Sequence, residues 1–198
     1  MSELTTEEKI FIAARKVFLK KGFAGARMQE IADESGINKA LLHYYFRNKK
    51  KLFEKIFQQI LGNVFLQLTE VINTHQPLTS KVAFFVEKYT QTLLENPDLP
   101  LFVINELNQN PDFLIRLAQS NVHFDWEMLE TQIKEEVEQG RMRYVKPQEL
   151  LINIISLCAF PILAQPLAKT ILNMDQDAYH EMIHQRKKSI VKIVLPQA

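Results

Sequence analysis

An all-α fold is predicted, and three observations carry the prediction. Apolar residues recur every three or four positions along most of the 198-residue chain, the period of amphipathic helices. Only five glycines and scattered prolines are present, too few for the turns of a β-rich fold. Residues that begin and end helices stand where such periods start and stop: Thr5 with Glu8, Asn38 and Asn48 at starts, and Gly22, Gly36 and Gly140 at ends. About nine helices are expected.

The first helix is predicted from about Thr6 to Lys21. Thr5 and Glu8 have the spacing of a capping box, and Gly22 supplies a left-handed stop. Ile10, Ala13, Ala14, Val17 and Phe18 form its inward stripe. Between Met28 and Phe46 two short helices meet at Gly36, the residue type that takes a left-handed turn without steric cost. Met28, Ile31 and Ala32 share one face of the first. Ile37, Leu41, Leu42 and Tyr45 share the inner face of the second, which Asn38 begins as an N-cap. That arrangement is a helix-turn-helix. Lys39, Ala40, His43 and Tyr44 are left pointing outward: donors, a small residue and a flat aromatic, suited to a DNA major groove where base edges offer acceptors and thymine offers a methyl.

The fourth helix begins after Asn48, and its apolar positions from Leu52 to Val71 continue to about Thr74 with no linker. One rod is therefore expected to serve two domains, a helix-turn-helix domain over 1–48 and a helical ligand-binding and dimerisation domain over 49–198. A fifth helix fits Thr79 to about Glu95, and a short sixth carries Leu101, Phe102, Ile104 and Leu107. Asn110-Pro111-Asp112 is expected to open a long seventh helix running to about Gln139, with Phe113, Leu117, Phe124, Leu129, Ile133 and Val137 inward. Pro147 fits the first turn of an eighth, to about Gln165, which Pro161 should kink. The ninth runs from about Asp175 to Leu195. The eighth is apolar around most of its circumference and the ninth along one broad face, and a second copy of the chain is the natural cover for both. A homodimer through 148–165 and 175–195 is expected.

The residues Ala14, Phe18, Gly22, Phe23, Ile31, Ala32, Gly36, Ile37, Lys39, Leu42, Tyr45, Phe46, Lys49 and Leu52 have the spacing of one known domain. From Thr6 to Phe53 the chain resembles the amino-terminal domain of the tetracycline-repressor (TetR) family of bacterial regulators. The likeness covers about the first quarter of the sequence; beyond it only length, helical content and a broadly similar carboxy-terminal pattern agree. The resemblance implies a transcriptional regulator of repressor type, a roughly palindromic operator, and a pocket for a small hydrophobic or amphipathic effector. It also implies phosphate contacts by Lys49 at the start of the fourth helix and by Tyr45. Arg27 stands where the family usually has threonine or serine, Lys50 where an acidic residue is common, and His43 where tyrosine is frequent, so operator preference does not transfer.

Charge agrees with a polyanion at one end. Residues 1–55 carry 12 Lys or Arg against 7 Asp or Glu, and residues 56–198 carry 12 against 16. A solvated lysine face is the alternative. Lys49-Lys50-Lys51 crowds positive charge onto a helix amino terminus, against its dipole, and a DNA phosphate would relieve that. Phosphate positioning is thus expected from Lys49, Lys39, Gln29, Arg27 and Tyr45, and base reading from Asn38, Ala40, His43 and Tyr44.

No cofactor is expected, for there is no phosphate-binding glycine loop, cysteine pair or His-Glu-x-x-His, and no catalytic constellation. His180 and His184 lie one turn apart but lack a third metal ligand in view. Effector-binding candidates are Phe85, Tyr89, Phe102, Asn105, Phe124 and Phe160, large rings and a polar residue that can line a pocket. Cys158, the sole cysteine, reads as a buried thiol, with an intersubunit disulfide or a redox sensor as alternatives. Met1 to Glu8 is polar and acidic, no secretory signal, and Leu150 to Ala164 is too short to span a membrane, so a cytoplasmic protein is expected. The competing reading keeps the DNA binding and drops the effector: a structural or partner-recruiting nucleoid protein.

Overall fold

The computed structural model describes residues 4–109 and 111–197. Met1 to Glu3 of the polar amino terminus, Asn110 of the expected seventh-helix opening, and Ala198 lie outside the described residues. Among those described, every regular element is a helix: α1 Thr6–Gly25, α2 Met28–Ser35, α3 Lys39–Tyr45, α4 Lys49–Ile72, α5 Leu78–Glu95, α6 Leu99–Gln109, α7 Pro111–Asn121, α8 Trp126–Glu138, α9 Pro147–Leu163, α10 Gln165–Leu172 and α11 Gln176–Val194. No single helix among them is long and apolar enough to cross a membrane. Two compact units are present, Met1–Phe65 with Leu101–Asn121, and Leu66–Pro100 with Val122–Ala198. The chain thus divides in space at other points than residue 48, because α4 and α6 each begin in one unit and end in the other.

In the first unit the expected caps form. Thr5 accepts the Glu8 amide at 3.3 Å while the Glu8 carboxylate takes the Thr5 amide at 2.7 Å, closing the capping box. Gly22 adopts φ 66° and ψ 178°, a conformation open to glycine, and kinks α1, whose helical hydrogen bonding resumes to Gly25. Three short helices bury too little apolar surface to stand alone. The first half of α4 adds Leu52, Phe53, Ile56 and Phe57, all at most 2% exposed. The Phe53 ring meets Phe18 at 5.1 Å, Phe23 at 4.9 Å and Phe113 at 5.4 Å, and Phe57 stacks on Phe102 at 3.8 Å. Aromatic residues of α6 and α7 thus complete the core beneath the helix-turn-helix.

The second unit is built on α5, α9 and α11, which pack mutually, with α8 and α10 against α9. The expected long seventh helix is two. Residues 122–125 leave the helix, and Asp125 caps α8 by accepting the Met128 amide at 2.9 Å. Asn73, just past α4, holds this break with both ends of its carboxamide: it donates to the His123 carbonyl at 2.7 Å and accepts the Asp125 amide at 2.9 Å. The helical period carried through Phe124 because that ring still packs, edge-on against Trp126 at 5.0 Å. Nearby, the buried Lys81 ammonium donates to the Ile72 carbonyl at 2.8 Å and to Gln132 at 2.7 Å. A cation at the negative end of the α4 dipole is favourably placed, although desolvation holds the Lys81 amine below the usual lysine range.

The eighth predicted helix ends in a sharp corner. α9 and α10 meet at 75° across Ala164. Pro161 lies inside α9, and its carbonyl accepts the buried Tyr179 hydroxyl of α11 at 2.8 Å. Pro166 then falls in the first turn of α10, an element the periodicity did not predict. Phe160 and Ile193, on the helices expected to meet a second copy, and Leu167 and Ile171 of α10 are each more than half exposed in the single chain.

Candidate nucleic-acid interface

Gly36 takes the left-handed conformation (φ 70°) that ends α2, its amide closing onto the Ala32 and Asp33 carbonyls. Asn38 follows in an extended conformation, and its side-chain oxygen accepts the Leu41 amide at 2.8 Å. These two residues set the angle between α2 and α3, and the buried Ile31, Ala32 and Leu42 hold it.

The α3 surface is broader than the period implied. Leu42 is its one fully buried side chain; Ile37, expected inward, is half-buried, and Leu41 and Tyr45 are exposed, at 36% and 41%. A helix of seven residues packed along a single ridge cannot bury three faces. Lys39, Ala40, His43 and Tyr44 are exposed as expected, Tyr44 at 82%, its ring edge-on to Tyr45 at 5.7 Å. Arg27 is exposed at the N-cap position of α2 and makes no capping bond there. Gln29 is exposed and donates to Asp33 at 2.8 Å.

Lys49 is placed differently from a free surface cation. Its ammonium donates to the Phe23 carbonyl at 2.7 Å and the Ala26 carbonyl at 3.0 Å, and lies 4.5 Å above the Phe23 ring. It braces the connection between α1 and α2. Glu106 of α6, 1% exposed, holds the same connection by accepting the Phe23 amide at 3.0 Å, and its other carboxylate oxygen is buried without a partner. Sequence reasoning passed over Glu106; a lone acid in the apolar stretch from Leu99 to Leu107 is the signal that could have found it. At the start of α4, Asn48 caps by accepting the Lys51 amide at 2.9 Å, leaving Lys50 and Lys51 exposed.

The effector candidates are not gathered in one place. Phe102 is core of the first unit against Phe53 and Phe57, and Asn105, on the same helix, is exposed. In the second unit Phe85 and Tyr89 stack at 5.5 Å, and burial pushes the Tyr89 hydroxyl up to about 12. Phe85 borders a cleft of about 20 Å³ with Leu78, Val82, Leu129 and Ile154, room for one water. Phe124 is half-buried beside Trp126, and Phe160 is 67% exposed. Cys158 is buried, takes the Thr90 hydroxyl at 3.6 Å, and its thiol is pushed up by burial.

Comparison with known proteins agrees with this architecture. Residues 10–56 match the family described as bacterial regulatory proteins, tetR family. The HTH-type transcriptional repressor NicS of Pseudomonas putida is 29% identical over 123 residues, 60% of this chain and 49% of that protein. The fatty acid metabolism regulator protein of Bacillus subtilis is 24% identical over 102 residues, 52% of this chain and 53% of that protein. The chain thus spans about half the length of these curated relatives. Among solved structures, the hemolysin II transcriptional regulator HlyIIR superposes with a TM-score of 0.62 at 24% identity, over 91% of this chain and 96% of that one. FadR of Bacillus subtilis in complex with stearoyl-CoA gives a TM-score of 0.63 at 16% identity, over 95% and 97%. Likeness at such identities extends the shared fold to almost the full length, while the family match rests on the helix-turn-helix and the helices flanking it. Residues 10–56 thus carry a domain similar to that of the tetR family of bacterial regulatory proteins.

Proposed function

We propose that the protein is a sequence-specific DNA-binding transcriptional regulator of repressor type, acting in the cytoplasm as a homodimer on a roughly palindromic operator and released by a small hydrophobic or amphipathic effector. The observation that carries this reading is the face of α3: Lys39, Ala40, His43 and Tyr44 exposed together on a helix whose start is pinned by Asn38. Base edges fall to Asn38, Ala40, His43 and Tyr44, and phosphates to Arg27, Gln29, Lys39 and Tyr45. Lys49 serves the interface by holding the α1–α2 connection that α2 and α3 follow. Residues 1–48 carry the DNA contacts, and residues 49–198 the effector and dimer contacts.

Two α3 helices related by a two-fold must reach successive turns of the major groove, about 34 Å apart, so the dimer sets operator spacing. The exposed Phe160, Leu167, Ile171 and Ile193 support pairing through α9 and α11, with α10 alongside. The effector enters through differential binding: a molecule favoured by one conformer of the second unit shifts α4, which both units share, and coupling of about 1–3 kcal/mol changes operator affinity about 5- to 150-fold. The stearoyl-CoA held by FadR, a protein of similar fold, supports an amphipathic effector. Phe85 and Tyr89 are the expected residues with the best claim to it.

Selection of bound duplexes from a random pool, followed by fluorescence anisotropy across a salt series, tests the reading. A two-fold symmetric consensus is expected, with Tyr44→Ala and His43→Ala relaxing the preference at particular base pairs. Enrichment of no sequence, together with weak binding indifferent to these substitutions, would overturn it.

A further inference from the structure

The corner between α9 and α10 encloses a cleft that none of the expected site residues line. Its volume is about 180 Å³, and its walls are Leu94, Pro97, Ile162 and Ile183, with Tyr179 behind and Gln165, Gln176 and His180 at the rim. An apolar cavity of about 150 Å³ suffices for benzene. The size and the mixed lining suit a molecule with a compact apolar body and one polar end.

The rim points to the charge of that end. Gln165 and Lys169 both donate to the same oxygen of Gln176, at 3.2 and 2.8 Å. The amide end of Gln176 meets the His180 ring at 2.6 Å. Two donors, one of them cationic, thus converge on a neutral amide oxygen, the position a carboxylate would fill with a stronger, charge-assisted bond. No carboxylate lines the cleft. The Asp175 carboxylate, close by in sequence, is taken up in capping α11 through the Ala178 amide at 2.8 Å. One turn beyond Ile183 on α11, Arg186 has its Nε buried without a hydrogen-bond partner. Its charge bears on the Tyr179 hydroxyl, opposing the upward push of burial. Lys169 and Arg186 form no ion pair among the described residues, so two cations close to the cleft are left to meet an anion.

We infer that this cleft binds a small monocarboxylate, its apolar body against Leu94, Pro97, Ile162 and Ile183 and its carboxylate taking the Gln165 and Lys169 donors from Gln176. The inference names the chemical class of an effector and rests on the regulator reading for its consequence on DNA, but not for binding. An occupant would tie the end of α5 to the α9–α10 corner and the first turns of α11, elements that include the expected dimer helices.

Benzoate is the probe, with benzamide as its neutral match in shape and size. Titration calorimetry and nitrogen–proton NMR shifts are recorded on the DNA-free protein. Saturable benzoate binding with a Kd on the order of 1 mM or tighter is expected for so few heavy atoms, with shifts centred on Gln165, Gln176 and His180. Benzamide should bind at least tenfold more weakly. Lys169→Gln, which keeps a neutral donor at this half-buried position, should weaken benzoate about tenfold with little change in the thermal midpoint, and Ile162→Phe should block it. Absence of saturation, equal binding of benzamide, or indifference to Lys169→Gln would each overturn the inference. Because no DNA is present, benzoate binding without operator recognition would sink the regulator reading alone, and the reverse would sink the cleft alone.

Discussion

Lys49 separates two ways in which a lysine can serve a DNA-binding domain, and Lys49→Met tells them apart. The wild-type ammonium makes two bonds to main-chain carbonyls, at 2.7 and 3.0 Å, and sits 4.5 Å over the Phe23 ring. A hydrogen bond to a charged group contributes about 1.5–3 kcal/mol net, the low end of that range at a half-buried site, and a cation over a ring at a partly exposed site about 0.5 kcal/mol. Methionine keeps the apolar stem over Phe23 but leaves two carbonyls to find water. The loss should be about 3–4 kcal/mol of folding free energy, read from urea denaturation followed by circular dichroism, since the single Trp126 belongs to the other unit. Operator affinity should fall through misplacement of α2 and α3, with the slope of log K against log salt unchanged. A lysine whose whole role is a phosphate contact behaves oppositely: stability holds, and the slope shrinks by about 0.9 for the lost contact. That second pattern would refute the bracing role.

Three further predictions concern other polar groups. Glu106→Gln should be close to neutral, because the amide oxygen can still accept from Phe23, whereas Glu106→Leu strands that amide and should cost about 1–3 kcal/mol by urea denaturation; equal effects would contradict the 3.0 Å bond. Asn73→Ala removes both bonds holding the α7–α8 break and should lower stability by about 1–2 kcal/mol, with faster amide exchange at Asp125. Alkaline pH should destabilise the fold. Tyr89 is pushed up to about 12 in the native state by burial, above an unfolded value of about 10, so its contribution is complete below pH ~10 and is lost as pH rises through the native value. Cys158, raised in the same sense by burial, begins this loss earlier, above about 8.5. Urea midpoints should therefore fall between pH 8 and pH 10.5, and Tyr89→Phe should flatten the upper part of the decline.

What could be read in the chain was local. Thr5, Gly36, Asn38 and Asn48 act on residues within a turn of themselves, and each does what its spacing implies. The helix-turn-helix was legible for that reason. What the structure adds involves partners far away in sequence. Asn73 breaks the expected seventh helix from some 50 positions distant, and periodicity through Phe124 gave no warning. Glu106 and Lys49 converge on Phe23 from α6 and α4, so neither could be judged from its own neighbours. Phe102 belongs to the core under the helix-turn-helix because α6 passes there, while Phe160 faces outward. Helical period tells how large rings recur along a helix, not which of several apolar neighbours they meet. α10 escaped notice because its start depends on the corner that Pro161, Tyr179 and Pro166 make together.

The central claim is that a pair of these chains presents two α3 helices to one duplex. Sedimentation of the protein with the duplex recovered by selection tests it most directly, free and in complex. Two chains per duplex are expected, on half-sites whose centres lie about one helical turn apart, with Phe160→Asp yielding monomers that release the DNA. A monomer that binds the selected duplex as tightly as the native protein, or a recovered sequence with no two-fold symmetry, would contradict the account.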